Sequence, residues 1–418
     1  MEIISEGLTG SLIYRIDLFT FGKTFLSENQ WVVQIRNPKV GNVLGKLVDW
    51  RSSVLSSIVK EVFYHLNNPQ GEQMKYLVVV ALLVSMAAIA EEAAKVEVSK
   101  KDWPSLDKPI SCTPIVFGRV TPQYIPLETW GDARIEKLFE NMEKDGINLI
   151  LLAGGVGDEV YFPSKILNNQ CDYDCYGRIF DLAEKHGMQV LLSGVQYTFH
   201  LQFEGKQWDP QVEVEMSKRI FAELNELYSK RPNFWGWYIP QEAGDRTHRG
   251  DIMVLLRELP RFLKRLTPDK PVAFSPWFTS KLTIGGEATT PAGFAAEWDS
   301  MLSEIEGLDI CAIQDGTAPY EEIGEWFKAA YPVFKKHDIT LWNVVELFPR
   351  DKENGFADMS QSLSFPYLIK KKAMADPYVE GVSCWEYQNY LNPDSKVKGA
   401  KELNREYRKW LKSINNNQ

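Results

Sequence analysis

The chain has 418 residues, 44% of them hydrophobic and 25% charged, with a net charge of -9 at pH 7 and a pI near 5.3. That acidic balance excludes nucleic acid and anionic membrane as principal partners, because both need a basic face. The length allows one large barrel or two to three ordinary domains, and thirteen tryptophans can serve a core or the apolar faces of pyranose rings.

Residues 1–73 show scattered glycines, no sustained period and one short amphipathic run around Leu55–His65, so little fold is expected there. Met74-Lys75 then opens a run of about fourteen mostly apolar residues that ends in Ala88-Ile89-Ala90 ahead of Glu91-Glu92, the layout of a secretory signal peptide. The run is too short to cross a bilayer, which takes roughly 20 apolar residues. A signal peptide belongs at an initiator methionine. Residues 1–73 are therefore expected to be an upstream extension from a misassigned start, with a small genuine domain as the competing reading. No cysteine stands at the cleavage site, which argues against a lipid anchor. The mature chain is expected to be exported, periplasmic or extracellular, and free of the membrane once residues 74–90 are removed.

From residue 105 to 415, short apolar strands alternate with amphipathic helices. Strands are predicted at 110–116, 148–153, 188–194, 234–242, 271–275, 309–314, 340–345 and 381–385. Helices are predicted at 132–144, 176–186, 211–230, 249–266, 292–305, 320–337, 361–375 and 398–414. Gly146, Gly187 and Gly307 close three of the helices. Eight strand–helix units over roughly 310 residues fit an α/β fold of the (β/α)8 barrel type. A doubly wound sheet is disfavoured, since no strand runs into a Gly-x-Gly-x-x-Gly turn.

A barrel of this kind keeps its chemistry at the C-terminal ends of its strands. Those ends carry Gln241 and Glu242 after strand four, Asp315 after strand six, Glu346 after strand seven, and Trp385 and Glu386 after strand eight. Tyr197 follows strand three and Trp277 follows strand five. Strands four and seven face each other across a barrel mouth. Two carboxylates there suit glycoside hydrolysis, one giving a proton to the leaving oxygen and the other attacking the anomeric carbon or activating water. Exposed loop glutamates are the competing explanation. Arg246 and His248 stand close enough in sequence to Glu242 to line such a cleft. Asp315 is a candidate to hold a sugar hydroxyl or to tune a neighbouring pKa. Trp277, Trp342 and Trp385 are candidate sugar platforms, with Trp342 deeper in its strand and read as core.

Of five cysteines, Cys112, Cys311 and Cys384 fall in strands and read as small buried hydrophobes. Cys171 and Cys175 sit in a loop before a helix, where they could pair in an oxidising compartment. Scattered histidines give no metal-ligand cluster, no strand contains a Schiff-base lysine, and no Gly-rich phosphate loop follows strands seven and eight. Neither a metal nor a cofactor is indicated.

Glutamates ending strands four and seven, with a tryptophan in strand eight, resemble the clan A (4/7) superfamily of retaining glycoside hydrolases. The segments Ile110-Ser-Cys-Thr-Pro-Ile-Val, Ile147-Asn-Leu-Ile-Leu-Leu, Tyr161-Phe-Pro-Ser-Lys and Gly236-Trp-Tyr-Ile-Pro-Gln-Glu242 resemble a narrower group. It is a family of exported bacterial TIM-barrel proteins, known as a domain of unknown function among the glycosidase-type barrels. The resemblance covers about residues 105–415 and implies Glu242 as acid/base and Glu346 as nucleophile. It departs from clan A at Gln241, where an asparagine usually holds the sugar 2-hydroxyl. The expected function is a retaining glycosidase acting on an oligosaccharide or polysaccharide, with Gln241, Tyr197, Trp277, Asp315, Trp385 and Glu386 binding substrate. The alternative is a carbohydrate-binding barrel without turnover.

Overall fold

In the computed structural model of the protein, the described residues are four strand backbones between 2 and 44, then 109–118, 127–244, 249–283, 288–351 and 355–415. The expected signal peptide at 74–90 and the candidates Arg246 and His248 lie outside them. Two compact units divide the chain, Met1–Glu97 and Val98–Gln418.

In the first unit, Glu2–Gly7, Gly10–Leu18, Val33–Asn37 and Gly41–Leu44 pair in chain order as a four-stranded antiparallel sheet. The rest of residues 1–73, where little fold is expected, lies outside the described residues. Leu12, Tyr14, Ile16 and Leu18 keep a period of two, which is a strand signal, and glycines flank the reversals.

The second unit is a closed barrel of eight parallel strands: β1 Cys112–Ile115, β2 Leu149–Leu152, β3 Gln189–Ser193, β4 Phe234–Ile239, β5 Val272–Phe274, β6 Ile310–Gln314, β7 Thr340–Glu346 and β8 Gly381–Trp385. Each strand pairs with its neighbours in sequence, and β8 closes onto β1 through Ser383 and Cys112. The major helices between and after them are α1 Asp132–Lys144, α2 Cys175–Lys185, α3 Pro210–Tyr228, α4 Arg249–Leu266, α5 Pro291–Leu302, α6 Ile323–Lys336, α7 Phe365–Ala375 and α8 Ala400–Asn415. This is the (β/α)8 fold that the alternating pattern predicts. Strands such as Leu149-Ile-Leu-Leu are buried throughout, as required when helices cover one face and the barrel interior the other.

Local chemistry sets the helix starts. Asp174 caps α2 by accepting from the Gly177 N–H at 2.7 Å, and Asp209 caps α3 ahead of Pro210. Cys171 and Cys175 form a disulfide at the entry to α2, while Cys112, Cys311 and Cys384 are buried and free.

Inside the barrel Leu149, Leu151, Leu191, Ile310 and Val344 surround Trp235 and Trp342, whose rings stack 5.7 Å apart. Trp342 is therefore core. Within the barrel, the seam between its first and last strand–helix repeats is locked by buried Asp145, which follows α1. Its carboxylate accepts from Tyr387 Oη at 2.5 Å and from Asn404 Nδ2 at 2.6 Å, and it pairs with Arg408 of α8.

Candidate active site

β4 stops at Ile239 and not near Glu242, because Pro240 has no N–H for the ladder. Beyond it the chain turns alternate side chains in opposite directions. Gln241 is fully buried against α3, where its Nε2 donates to Glu213 Oε1 at 2.6 Å and to the Val195 carbonyl at 3.0 Å. Glu213 is itself fully buried and also accepts the backbone N–H groups of Tyr197, Thr198 and Phe199. Gln241, expected at the substrate, thus ties the loops after β3 and β4 to a helix.

Glu242 points the other way, into a cavity of about 30 Å³ at the top of the barrel interior that Tyr238, Ser275, Gln314, Trp342 and Trp385 also line. Burial pushes its carboxyl up to about 7; a hydrogen bond from the Gln314 side chain opposes the shift, and the Glu346 charge adds to it. Gln314, the last residue of β6, lies 3.4 Å from Ser275 Oγ, and Ser275 Oγ donates to the Ala312 carbonyl at 2.7 Å. Gln314 is thus held by the barrel wall as it meets the acid.

Glu346 ends β7 and is almost wholly buried. Arg350, four residues on, forks onto it, with Nε 2.5 Å from Oε2 and Nη2 2.7 Å from Oε1. The Glu346 backbone N–H donates to Asp315 Oδ1 at 3.1 Å. Lys371, from α7, donates to the Glu346 carbonyl at 3.1 Å and pairs with the same Asp315 oxygen at 2.7 Å. The carboxylate lies directly over Gly316, where a Cβ would fall 1.7 Å from Oε2. Only glycine leaves that space.

Glu346 and Asp315 line a second recess of about 360 Å³, with Tyr320, Arg350, Tyr367 and Lys371. The two candidate acids are thus close enough for charge to act between them, yet they line separate cavities. Asp315 is completely buried; its Oδ1 is engaged, its Oδ2 meets no donor, and burial raises its pKa against the pull of Lys371.

The remaining candidates divide. Trp385 lines the Glu242 cavity. Trp277 is part-buried beside the loop that carries Glu242: its N–H donates to the Ala243 carbonyl at 3.1 Å, and its indole nitrogen would lie 2.7 Å from a Cβ on Gly244. Tyr197 is part-buried on the loop after β3 and lines neither cavity. Glu386, expected at the substrate, serves a helix start. It is fully buried and caps the short helix Tyr387–Tyr390, accepting from the Asn389 N–H at 3.1 Å and from its Nδ2 at 2.9 Å. A carboxylate three residues before an amide that opens a helix is a capping signal, and it competes with the binding reading.

Sequence reasoning missed Gln314, Tyr238, Arg350 and Lys371. Arg350 carried a weak signal, four residues after an acid at a strand end. Lys371 carried one too, a lysine on the apolar face of an amphipathic helix. Among the described residues, no group of three or more His, Cys, Asp or Glu could hold a metal ion, and no helix is long and apolar enough to cross a membrane.

A family profile described as "Domain of unknown function (DUF4434)" matches residues 121–397. No curated protein matches the chain. Among solved structures, a Bacteroides thetaiotaomicron protein provisionally assigned as an alpha-L-fucosidase is 24% identical. It superposes with a TM-score of 0.64 over 75% of this chain and 99% of its own. An endo-1,4-beta-D-mannanase from Thermotoga petrophila is 14% identical, with a TM-score of 0.45 over 66% of this chain and 87% of its own. An intracellular xylanase from Thermoanaerobacterium saccharolyticum is 9% identical, with a TM-score of 0.43 over 72% and 93%.

Proposed function

The chain belongs to the DUF4434 family of TIM-barrel proteins, and from the chemistry at its strand ends we propose that it is a glycoside hydrolase. The observation that carries this reading is Glu242, a carboxyl raised to about 7 by burial and by the nearby Glu346 charge. Such an acid is still partly protonated at neutral pH and can give its proton to a departing glycosidic oxygen. Gln314 holds it in place, and Trp385 supplies an aromatic wall to the same cavity.

Glu346 is the second carboxylate. In its ion pair with Arg350 it presents a negative charge on the β7 side of the mouth. It would attack the anomeric carbon or activate water on the face opposite Glu242. Carboxyl groups about 5–5.5 Å apart give retention, and about 6.5–9.5 Å gives inversion.

One specific feature favours a second reading, carbohydrate binding without turnover. Arg350 occupies both oxygens of Glu346, and the two acids line different cavities. In the hydrolytic reading, substrate must draw the Glu346 carboxylate partly out of the fork. The test is a panel of aryl glycosides and oligosaccharides, α-L-fucosides included, with products followed by NMR. Release of sugar by wild type and its loss in Glu242→Gln support the hydrolase. Saturable sugar binding with no release by either protein overturns it in favour of the second reading.

Export is part of the same proposal. Cleavage after Ala90 would deliver the barrel to an oxidising compartment, which suits the Cys171–Cys175 disulfide.

A further inference from the structure

The recess beside Glu346 lies off the barrel interior, between the ends of β6 and β7 and the start of α6. Its floor is Asp315 and Gly316, and its wall is formed by Tyr320 and Tyr367, whose rings stack 3.8 Å apart. We propose that this recess binds one neutral, polyhydroxylated unit of pyranose size, its hydroxyls donating to Asp315 Oδ2 and to Glu346. The assignment of the unit as part of a substrate rests on the glycosidase reading; the site itself does not.

Three observations support it. First, Asp315 is completely buried, yet Oδ2 has no hydrogen-bond partner although its sister oxygen has two. A buried acceptor without a partner, on a residue that lines a recess, gains a hydrogen bond from any ligand hydroxyl that reaches it. Second, charge at the base is already balanced. Lys371 pairs with Asp315 at 2.7 Å and Arg350 pairs with Glu346 at 2.5 Å. The third lining cation, Lys281, pairs with Glu322 at 3.1 Å. An anionic ligand would therefore find no uncommitted cation and would meet five lining carboxylates against those three bases. A cationic ligand seated at the base would find both carboxylates there, Asp315 and Glu346, already paired. A neutral hydroxyl donor completes the hydrogen bonding without either cost. Third, the recess, about 360 Å³, has the size of a small-ligand pocket and combines apolar walls with a few convergent polar groups.

The experiment titrates the full chain with methyl pyranosides of neutral hexoses and deoxyhexoses, with the matching uronates, and with 2-amino sugars, followed by calorimetry and ligand-observed NMR. Saturable binding of a neutral pyranoside, at least about tenfold tighter than its uronate and amino counterparts, is the expected result. Tyr367→Ala, away from the buried ion pairs, should weaken it about tenfold with an unchanged circular dichroism spectrum, and Asp315→Asn should weaken it at least as much. Equal affinity for uronate or amino sugar, no binding of any pyranoside, or wild-type affinity in folded Tyr367→Ala overturns the site. The two proposals separate cleanly. Tyr367-dependent binding without hydrolysis leaves the recess standing and removes the hydrolase. Hydrolysis that is indifferent to Tyr367 and Asp315 does the reverse.

Discussion

Arg350 grips both carboxylate oxygens of Glu346, at 2.5 Å and 2.7 Å, from four residues further along the same chain. The pair joins the end of β7 to the loop that follows it, and Arg350 also donates to the Gly355 carbonyl at 2.8 Å. Removing the guanidinium strands a nearly buried negative charge, so Arg350→Ala should cost about 3 kcal/mol of stability. Arg350→Lys keeps charge but not the planar fork and should recover only part of it. Urea unfolding of both variants checks this; equal stability of wild type and alanine variant would show the pair to be idle.

Glu242 should make stability fall with pH over a defined window. Its folded pKa, about 7, lies above the ordinary 4.5. The folded state therefore holds the proton longer than the unfolded one, and its contribution is complete below 4.5 and lost as pH rises through about 7. The loss should reach about 3 kcal/mol. Glu242→Gln cannot ionise, so its unfolding free energy should be flatter over that window and should exceed wild type above it. A variant that keeps the wild-type slope would mean another group is responsible.

Activity should follow the same titration from the other side. If Glu242 is the general acid, turnover falls as pH rises through about 7, because the proton to be donated is gone. The measurement is kcat/KM against pH on a glycoside with a poor leaving group. An alkaline limb well removed from 7 would move the acid role elsewhere.

Gly316→Ala should disable the site without unfolding the barrel. The new methyl group would lie 1.7 Å from Glu346 Oε2 and 2.0 Å from its Cδ, so the carboxylate must leave its fork. A shift of about 1 Å in a reacting group can cost a hundredfold in rate, and overpacking itself about 1–3 kcal/mol. Turnover and melting temperature measured together test this, and wild-type turnover would place Glu346 outside the chemistry.

Gln241→Ala should behave as a core lesion. It leaves Glu213 short of a donor at 2.6 Å and should cost about 1–3 kcal/mol, with sugar affinity of the folded protein unchanged. Weaker sugar binding at unchanged stability would return Gln241 to the substrate.

Sequence pattern alone determined the eight strand–helix units, because strand and helix periods are properties of neighbouring residues and Pro and Gly punctuate them locally. The boundaries of Asp132–Lys144, Arg249–Leu266 and Gly381–Trp385 follow directly from it. It also placed Glu346 and Trp385 at strand ends and Glu242 beyond the end of β4, since position along a parallel barrel strand is position in depth. What it could not decide is direction. Past Pro240 no ladder fixes which of two neighbours faces inward, and Gln241 turns outward because Glu213, 28 residues earlier, offers a buried acceptor. Glu386 is claimed by the amides of Asn389, and Glu346 by Arg350, whose approach depends on the loop folding back. Each of these choices is a competition between distant partners for one polar group. The tertiary structure resolves it because burying such a group without a partner costs more than any local preference for where it points.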